Sequence, residues 1–122
     1  MNTSAIVDIA VSDNATVQDA FKFGTDGDTT WSFTGMTFKM EVKASRDDTA
    51  PLVTWTSGAG QIVVDDAVNR VLHLNVPDTD VQASLPPAEY VYDFIMLDGS
   101  TPAIRTQLMQ GKFVVCRGVT ED

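Results

Sequence analysis

The run Ala88-Glu89-Tyr90-Val91-Tyr92-Asp93-Phe94-Ile95-Met96-Leu97 places Tyr90, Tyr92, Phe94 and Met96 on one side of an extended chain, with Val91, Asp93 and Ile95 on the other. Successive side chains of a strand point to opposite faces, so this period of two predicts a strand with one apolar face. Asp98-Gly99 follows, a pair suited to the positive φ angles of a tight hairpin, and Ile104 to Cys116 reads as the return strand. In that strand Met109, Gly111, Phe113 and Val115 share a face, and Gly111 marks either a bulge or a point where another group packs close.

Working toward the amino terminus, Gly60 to Asp65 and Arg70 to Val76 read as strands, with Leu72, Leu74 and Val76 alternating against Val71, His73 and Asn75. Between them and the first run, Pro77 with Asp78 and Asp80 suits a helix start, and Val81 and Leu85 are four apart. One short helical turn is expected there, stopped by Pro86-Pro87. Thr29 to Ala44 contains a half-exposed strand in which Phe38, Met40 and Val42 alternate with Lys39, Glu41 and Lys43. Val17 to Phe23 and Leu52 to Thr56 are further strands, separated by polar and glycine-containing turns. The pattern predicts an all-β antiparallel β-sandwich of about eight short strands with one helical turn. No repeat or linker divides residues 1–122, so a single domain is expected, with Phe38, Met40, Leu72, Leu74, Tyr92, Phe94, Met109 and Phe113 in its core.

Ser4 to Val11 is different, because Ala5, Ile6, Val7, Ile9, Ala10 and Val11 surround the single charge of Asp8. Such a segment is either a strand buried on both faces or an arm, within residues 1–12, that pairs with a neighbouring subunit. Ile6, Val7, Ile9 and Val11 are therefore interface candidates. As an arm, the segment would leave the fold intact when removed.

A chain of 122 residues removes enough surface from water to fold without a disulfide or metal, and the lone Cys116 has no partner in the chain. No apolar run approaches the length of a membrane span and no basic, hydrophobic start resembles a signal peptide, so a soluble protein made in the cytoplasm is expected. The net charge of −9, from 17 acidic and 8 basic residues, repels phosphate backbones and anionic membranes. It argues against nucleic-acid and membrane partners and for docking onto a more basic protein, with Asp47, Asp48, Asp65 and Asp66 as candidate steering carboxylates.

Sharper chemistry has little support. Asp26-Gly27-Asp28 with Asp47-Asp48 supplies clustered carboxylates, but their spacing does not continue into a calcium loop. His73 is the only histidine, which leaves a typical zinc site without its second imidazole. Asp93 has no second carboxylate or nucleophile beside it in sequence to make a general acid. No cofactor, metal ligand set or catalytic group is assigned, and no enzyme is expected. Trp31 and Trp55 fall at strand margins, where a tryptophan is a core plug or, if exposed, an anchor for a protein interface.

The order Ile62, Leu72-His73-Leu74-Asn75-Val76, Asp78-Thr79, Leu85, Glu89-Tyr90-Val91-Tyr92-Asp93-Phe94, Arg105, Leu108, Gln110-Gly111, Phe113-Val114-Val115 and Gly118-Val119-Thr120 resembles a small β-sandwich domain of tailed bacteriophages. It is similar to the amino-terminal virion-anchoring domain of phage baseplate upper proteins, from about Phe21 to Thr120. The resemblance implies a non-enzymatic structural protein of the virion, assembled in the host cytoplasm. It would act as a tail, baseplate or fibre-adaptor component in multiple copies, a homo-oligomer docked on other tail or capsid subunits. A capsid decoration protein is the alternative within that class. A carbohydrate-binding module, using Trp31 or Trp55 as a stacking platform, is the alternative outside it.

Overall fold

The computed structural model of the chain describes residues 5–24, 27, 29–100 and 103–118. In order, the strands are β1 (Ala5–Ile6), β2 (Ile9–Ser12), β3 (Ala20–Lys22), β4 (Thr37–Lys43), β5 (Val53–Thr56), β6 (Ile62–Asp66) and β7 (Val71–Leu74). The helix α1 (Asp78–Ser84) comes next, then β8 (Ala88–Leu97) and β9 (Arg105–Cys116). A large sheet is ordered β1-β9-β8-β4-β5, with β2 also on β9, and a small one is ordered β3-β7-β6. The chain is thus all-β with one short helix and has a sandwich-like fold, as the alternation predicts. Among the described residues the strand count is nine, because the amino-terminal run is broken at Val7-Asp8 into β1 and β2.

All eight expected core residues are buried. Phe94 and Met40 lie opposite each other on β8 and β4, Phe94 also pairs with Met109 on β9, and Tyr90 with Phe113. One face of the large sheet is therefore a continuous apolar layer, covered by Ile62, Leu72 and Leu74 of the small sheet. Aromatic rings fill the space between: Phe33 meets Phe38 edge-on at 4.8 Å, Phe23 lies 6.3 Å from Phe94, and Trp55 packs edge-on to Phe113 at 5.5 Å. Offset and edge-to-face contacts at such distances add to the area term.

Several boundaries move. Only Ala20–Lys22 of the Val17 to Phe23 run is a strand, and Val17 makes a single bridge to Val76. The Thr29 to Ala44 run enters its strand only at Thr37, after a turn with Gly35 at φ +76°. Gly99 does not have the expected positive φ. The pairing of Leu97 with Arg105 leaves seven residues between the strands, too many for a two-residue turn. The Asp98 carboxylate closes this loop instead, accepting from the backbone N–H of Ser100 at 3.0 Å and of Ile104 at 2.9 Å. Donation from the Ser100 hydroxyl, then from these amides, lowers the Asp98 pKa.

Among the described residues Arg70 is the one charged residue in the core, and no local sequence signal marks it. Its backbone adopts φ +60°. Its Nε donates to Phe23 O at 2.8 Å, and Nη1 to Trp31 O at 3.0 Å and Val68 O at 3.2 Å. The guanidinium also lies 5.2 Å from the Trp31 ring centroid. Burying a charge is costly unless its donors are satisfied, and here the donors fasten the long connection between β3 and β4 to the β6–β7 turn.

Two substitutions test this packing. Phe94→Ala should cost about 3 to 5 kcal/mol through lost transfer energy plus a cavity, and a thermal melt unchanged from wild type would refute the assigned inward face. Arg70→Lys should cost about 3 kcal/mol, because a single ammonium cannot reproduce a planar fork serving several carbonyls. Urea denaturation measures it.

Candidate docking surfaces

The amino-terminal segment lies on its own chain. Ala5 and Ile6 pair in parallel with Met109 and Gln110, and Ile9 to Ser12 with Phe113 to Cys116. Between them the Val7-Asp8 peptide arches over Gly111. A methyl group on Gly111 would stand 2.3 Å from the Val7 carbonyl oxygen, so the close-packing expectation for Gly111 holds and explains the glycine. Three bonds fix the arch: Val7 N–H donates to Gln110 O at 2.8 Å, the Tyr92 hydroxyl to Val7 O at 2.5 Å, and Lys112 N–H to the Asp8 carboxylate at 3.0 Å. Of the four apolar candidates, Ile9 is buried, Val7 and Val11 are half-buried against the core, and Ile6 is 79% exposed. Removing residues 1–11 takes Ile9 out of the core and strips the edge of β9, so the expectation that the fold survives this deletion is corrected.

The tryptophans divide. Trp55 is 1% exposed and is a core plug, not an anchor. Trp31 is half-buried, with Arg70 over its ring and Phe33 at its edge. The four candidate carboxylates fall on two different sheets. In the loop after β4 the exposed Asp48 accepts from Ser45 N–H at 3.2 Å, and Asp47 is exposed beside it. At the end of β6 an irregularity between Val64 and Asp66 leaves Asp65 without a β7 partner, and its carboxylate lies 2.8 Å from His73 Nδ1. Asp66 accepts from the side chain and backbone N–H of Asn69, which lower its pKa. Asp26 and Asp28 lie outside the described residues, and among the described residues no three His, Cys, Asp or Glu side chains form a cation-binding group. Among those residues, too, no helix is long and apolar enough to cross a membrane.

The outer face of the large sheet is a further candidate surface. Its cross-strand rows are Thr37, Leu97 and Arg105; Lys39, Ile95 and Gln107; Glu41, Asp93 and Gln110; and Lys43, Val91 and Lys112. Glu41 and Asp93 are like charges directly opposite, an arrangement that destabilises a sheet. Lys39 relieves it at 3.4 Å from Glu41, and Arg46 at 3.5 Å from Asp93. Lys112 pairs with Glu89 at 3.4 Å. A depression in this face is lined by Val91, Tyr92, Glu41, Lys43, Arg46 and Asp93. Each strand's alternation was visible in the sequence, but the register that makes these rows was not.

No family model matches the chain, and no curated protein matches it. Among solved structures it is similar to CopC from Methylosinus trichosporium OB3b, at 15% identity and a TM-score of 0.45 over 98% of this chain and 91% of that one. A likeness at this level assigns no role.

The amino-terminal arch gives a pH signature. Burial first, then the Asp8 and Asp93 carboxylates, push the Tyr92 phenol well above its ordinary range. The unfolded chain loses this proton near pH 10 while the folded chain keeps it, so the stability is full below about pH 10 and falls as pH rises further. Tyr92→Phe should lower stability by about 1 kcal/mol at pH 8 and fall less steeply in alkali. Urea denaturation across that range measures both, and identical slopes for the two proteins would refute the arch.

Proposed function

We propose that this protein is a non-enzymatic structural component of a tailed-phage virion, a tail, baseplate or fibre-adaptor protein present in multiple copies. The observation that carries the reading is the strand and turn pattern from Ile62 to Thr120, which resembles the virion-anchoring domain of baseplate upper proteins. The outer face of the large sheet lends support, because half-exposed Val91, Ile95 and Leu97 run among charged side chains, a mixture suited to protein contact. The carbohydrate reading loses one of its two platforms, since buried Trp55 has no free ring face for a sugar.

Mass spectrometry and immunogold labelling of purified particles from the encoding phage test this role. Label at the tail end in a fixed copy number is the expected result; label over the head would favour capsid decoration, and absence from particles would overturn a virion role. Attachment to partner proteins should weaken as salt rises above about 0.15 M, where screening acts over roughly 8 Å. Changing Asp47, Asp48, Asp65 and Asp66 to Asn should slow association more than it speeds release. Insensitivity to both would assign the contact to apolar surface, with exposed Ile6 the first residue to examine.

A further inference from the structure

The net charge of −9 suggests copies that repel one another, but the fold sorts that charge. Lys39, Lys43, Lys112 and Arg105 all occupy outward rows of the large sheet, and Arg46 reaches over the same face to Asp93. The carboxylates there are Glu41, Asp93 and Glu89. Among the described residues, five cations thus share a face with three carboxylates. Of the remaining cations, Arg70 is buried, leaving Lys22 and Arg117 against ten other carboxylates among the described residues. Among those residues one face is net basic and the remainder acidic.

The opposite side of the sandwich, the outer face of the small sheet, carries Asp65 and Asp66 at the end of β6, with Val63 in the same strand. Val68, in the turn just beyond, is 63% exposed. On that side Lys22 is paired across the sheet with Val71, and His73 Nδ1 lies 2.8 Å from Asp65. Both sides therefore combine charge with valine-sized apolar groups, and the charges are of opposite sign.

We propose that the outer face of the large sheet receives the small-sheet side of a second copy of this chain, in a head-to-tail contact that sets Lys43 and Lys112 against the next copy's Asp65 and Asp66. The row Lys43, Val91, Lys112 presents two cations, Lys112 with Glu89 at 3.4 Å, and the Asp65-Asp66 pair between Val63 and Val68 offers charge of the opposite sign. A contact between two different patches repeats, closing into a ring or extending as a stack. The inference rests on the multicopy structural reading for its setting and on charge placement for its content.

Screening gives it a distinctive signature. Packed sheets stand about 10 Å apart, so at about 0.15 M salt, with a screening length near 8 Å, the two sides act independently and local attraction operates. At about 0.01 M the length grows to roughly 30 Å, the whole molecule's negative charge is felt, and repulsion wins. At about 1 M it shrinks to roughly 3 Å and the attraction is lost.

Sedimentation equilibrium of the purified protein up to millimolar concentration should show self-association that peaks at intermediate salt. Lys43→Gln with Lys112→Gln should weaken it about tenfold, as should Asp65→Asn with Asp66→Asn. An equimolar mixture of the two double variants should form one-to-one pairs and nothing larger, because only one intact contact remains; circular dichroism checks that each variant is folded. A wild-type protein that stays monomeric at every salt concentration would overturn the proposal, as would a mixture that fails to pair. The salt profile decides even if a variant misfolds. Self-association without any presence in particles would refute the virion reading and leave this contact standing, whereas particles containing a protein that is monomeric in solution would do the reverse.

Discussion

Strand β8 has hydrogen-bonded neighbours on both sides over nearly its whole length, β4 on one and β9 on the other. That position requires its inward residues to be apolar and large, and Tyr90, Tyr92, Phe94 and Met96 meet the requirement. Shifting its register by one residue would drive Asp93 into the core and turn Phe94 to water, a change no neighbouring strand can absorb. The remaining layers are arranged around this choice: Met40 and Met109 flank Phe94, and Phe23 and Phe38 pack against its ring. The Tyr92 hydroxyl carries the same strand's influence to the amino terminus.

How much of this was legible in the sequence follows from how local each signal is. Alternation in Thr37–Lys43 and Ala88–Leu97, and the proline-bounded helix at Asp78–Ser84, are set by neighbours in the chain and were readable. The loop after Leu97 departs from the expected hairpin because Asp98-Gly99 is a turn pair only when the strands register on either side of it, and here Asp98 bonds Ile104 instead. Register also brings Glu41 to Asp93 and Lys43 to the row of Lys112, so the candidate docking face was invisible until β4, β8 and β9 were placed. Of the named candidates, Trp55 and Ile9 proved to be core, whereas Ile6 and the aspartates lie at the surface.

Arg70 shows a different limit. Nothing in Asn69-Arg70-Val71 distinguishes a buried arginine from an exposed one, because the carbonyls that hold it belong to Phe23 and Trp31, far away in the chain, as well as to Val68. A buried polar group that binds distant backbone specifies the path of a connection that propensity alone leaves open. The described residues of the connection between β3 and β4 form no strand or helix, and this arginine ties Phe23 and Trp31 to the β6–β7 turn.

The parallel seating of β1 and β2 on β9 brings the first and last strands of the chain side by side, with Asp8 bonded to Lys112 across 104 positions. Such a contact closes a long loop, whose entropy is lost before its bonds are gained. During synthesis β1 and β2 emerge before β9 and wait for it until the intervening strands have been made. Through that interval the apolar residues Ala5 to Val11 stay unpaired, so it is in the nascent chain, more than in the finished protein, that this segment is open to capture by a chaperone or by another chain's edge.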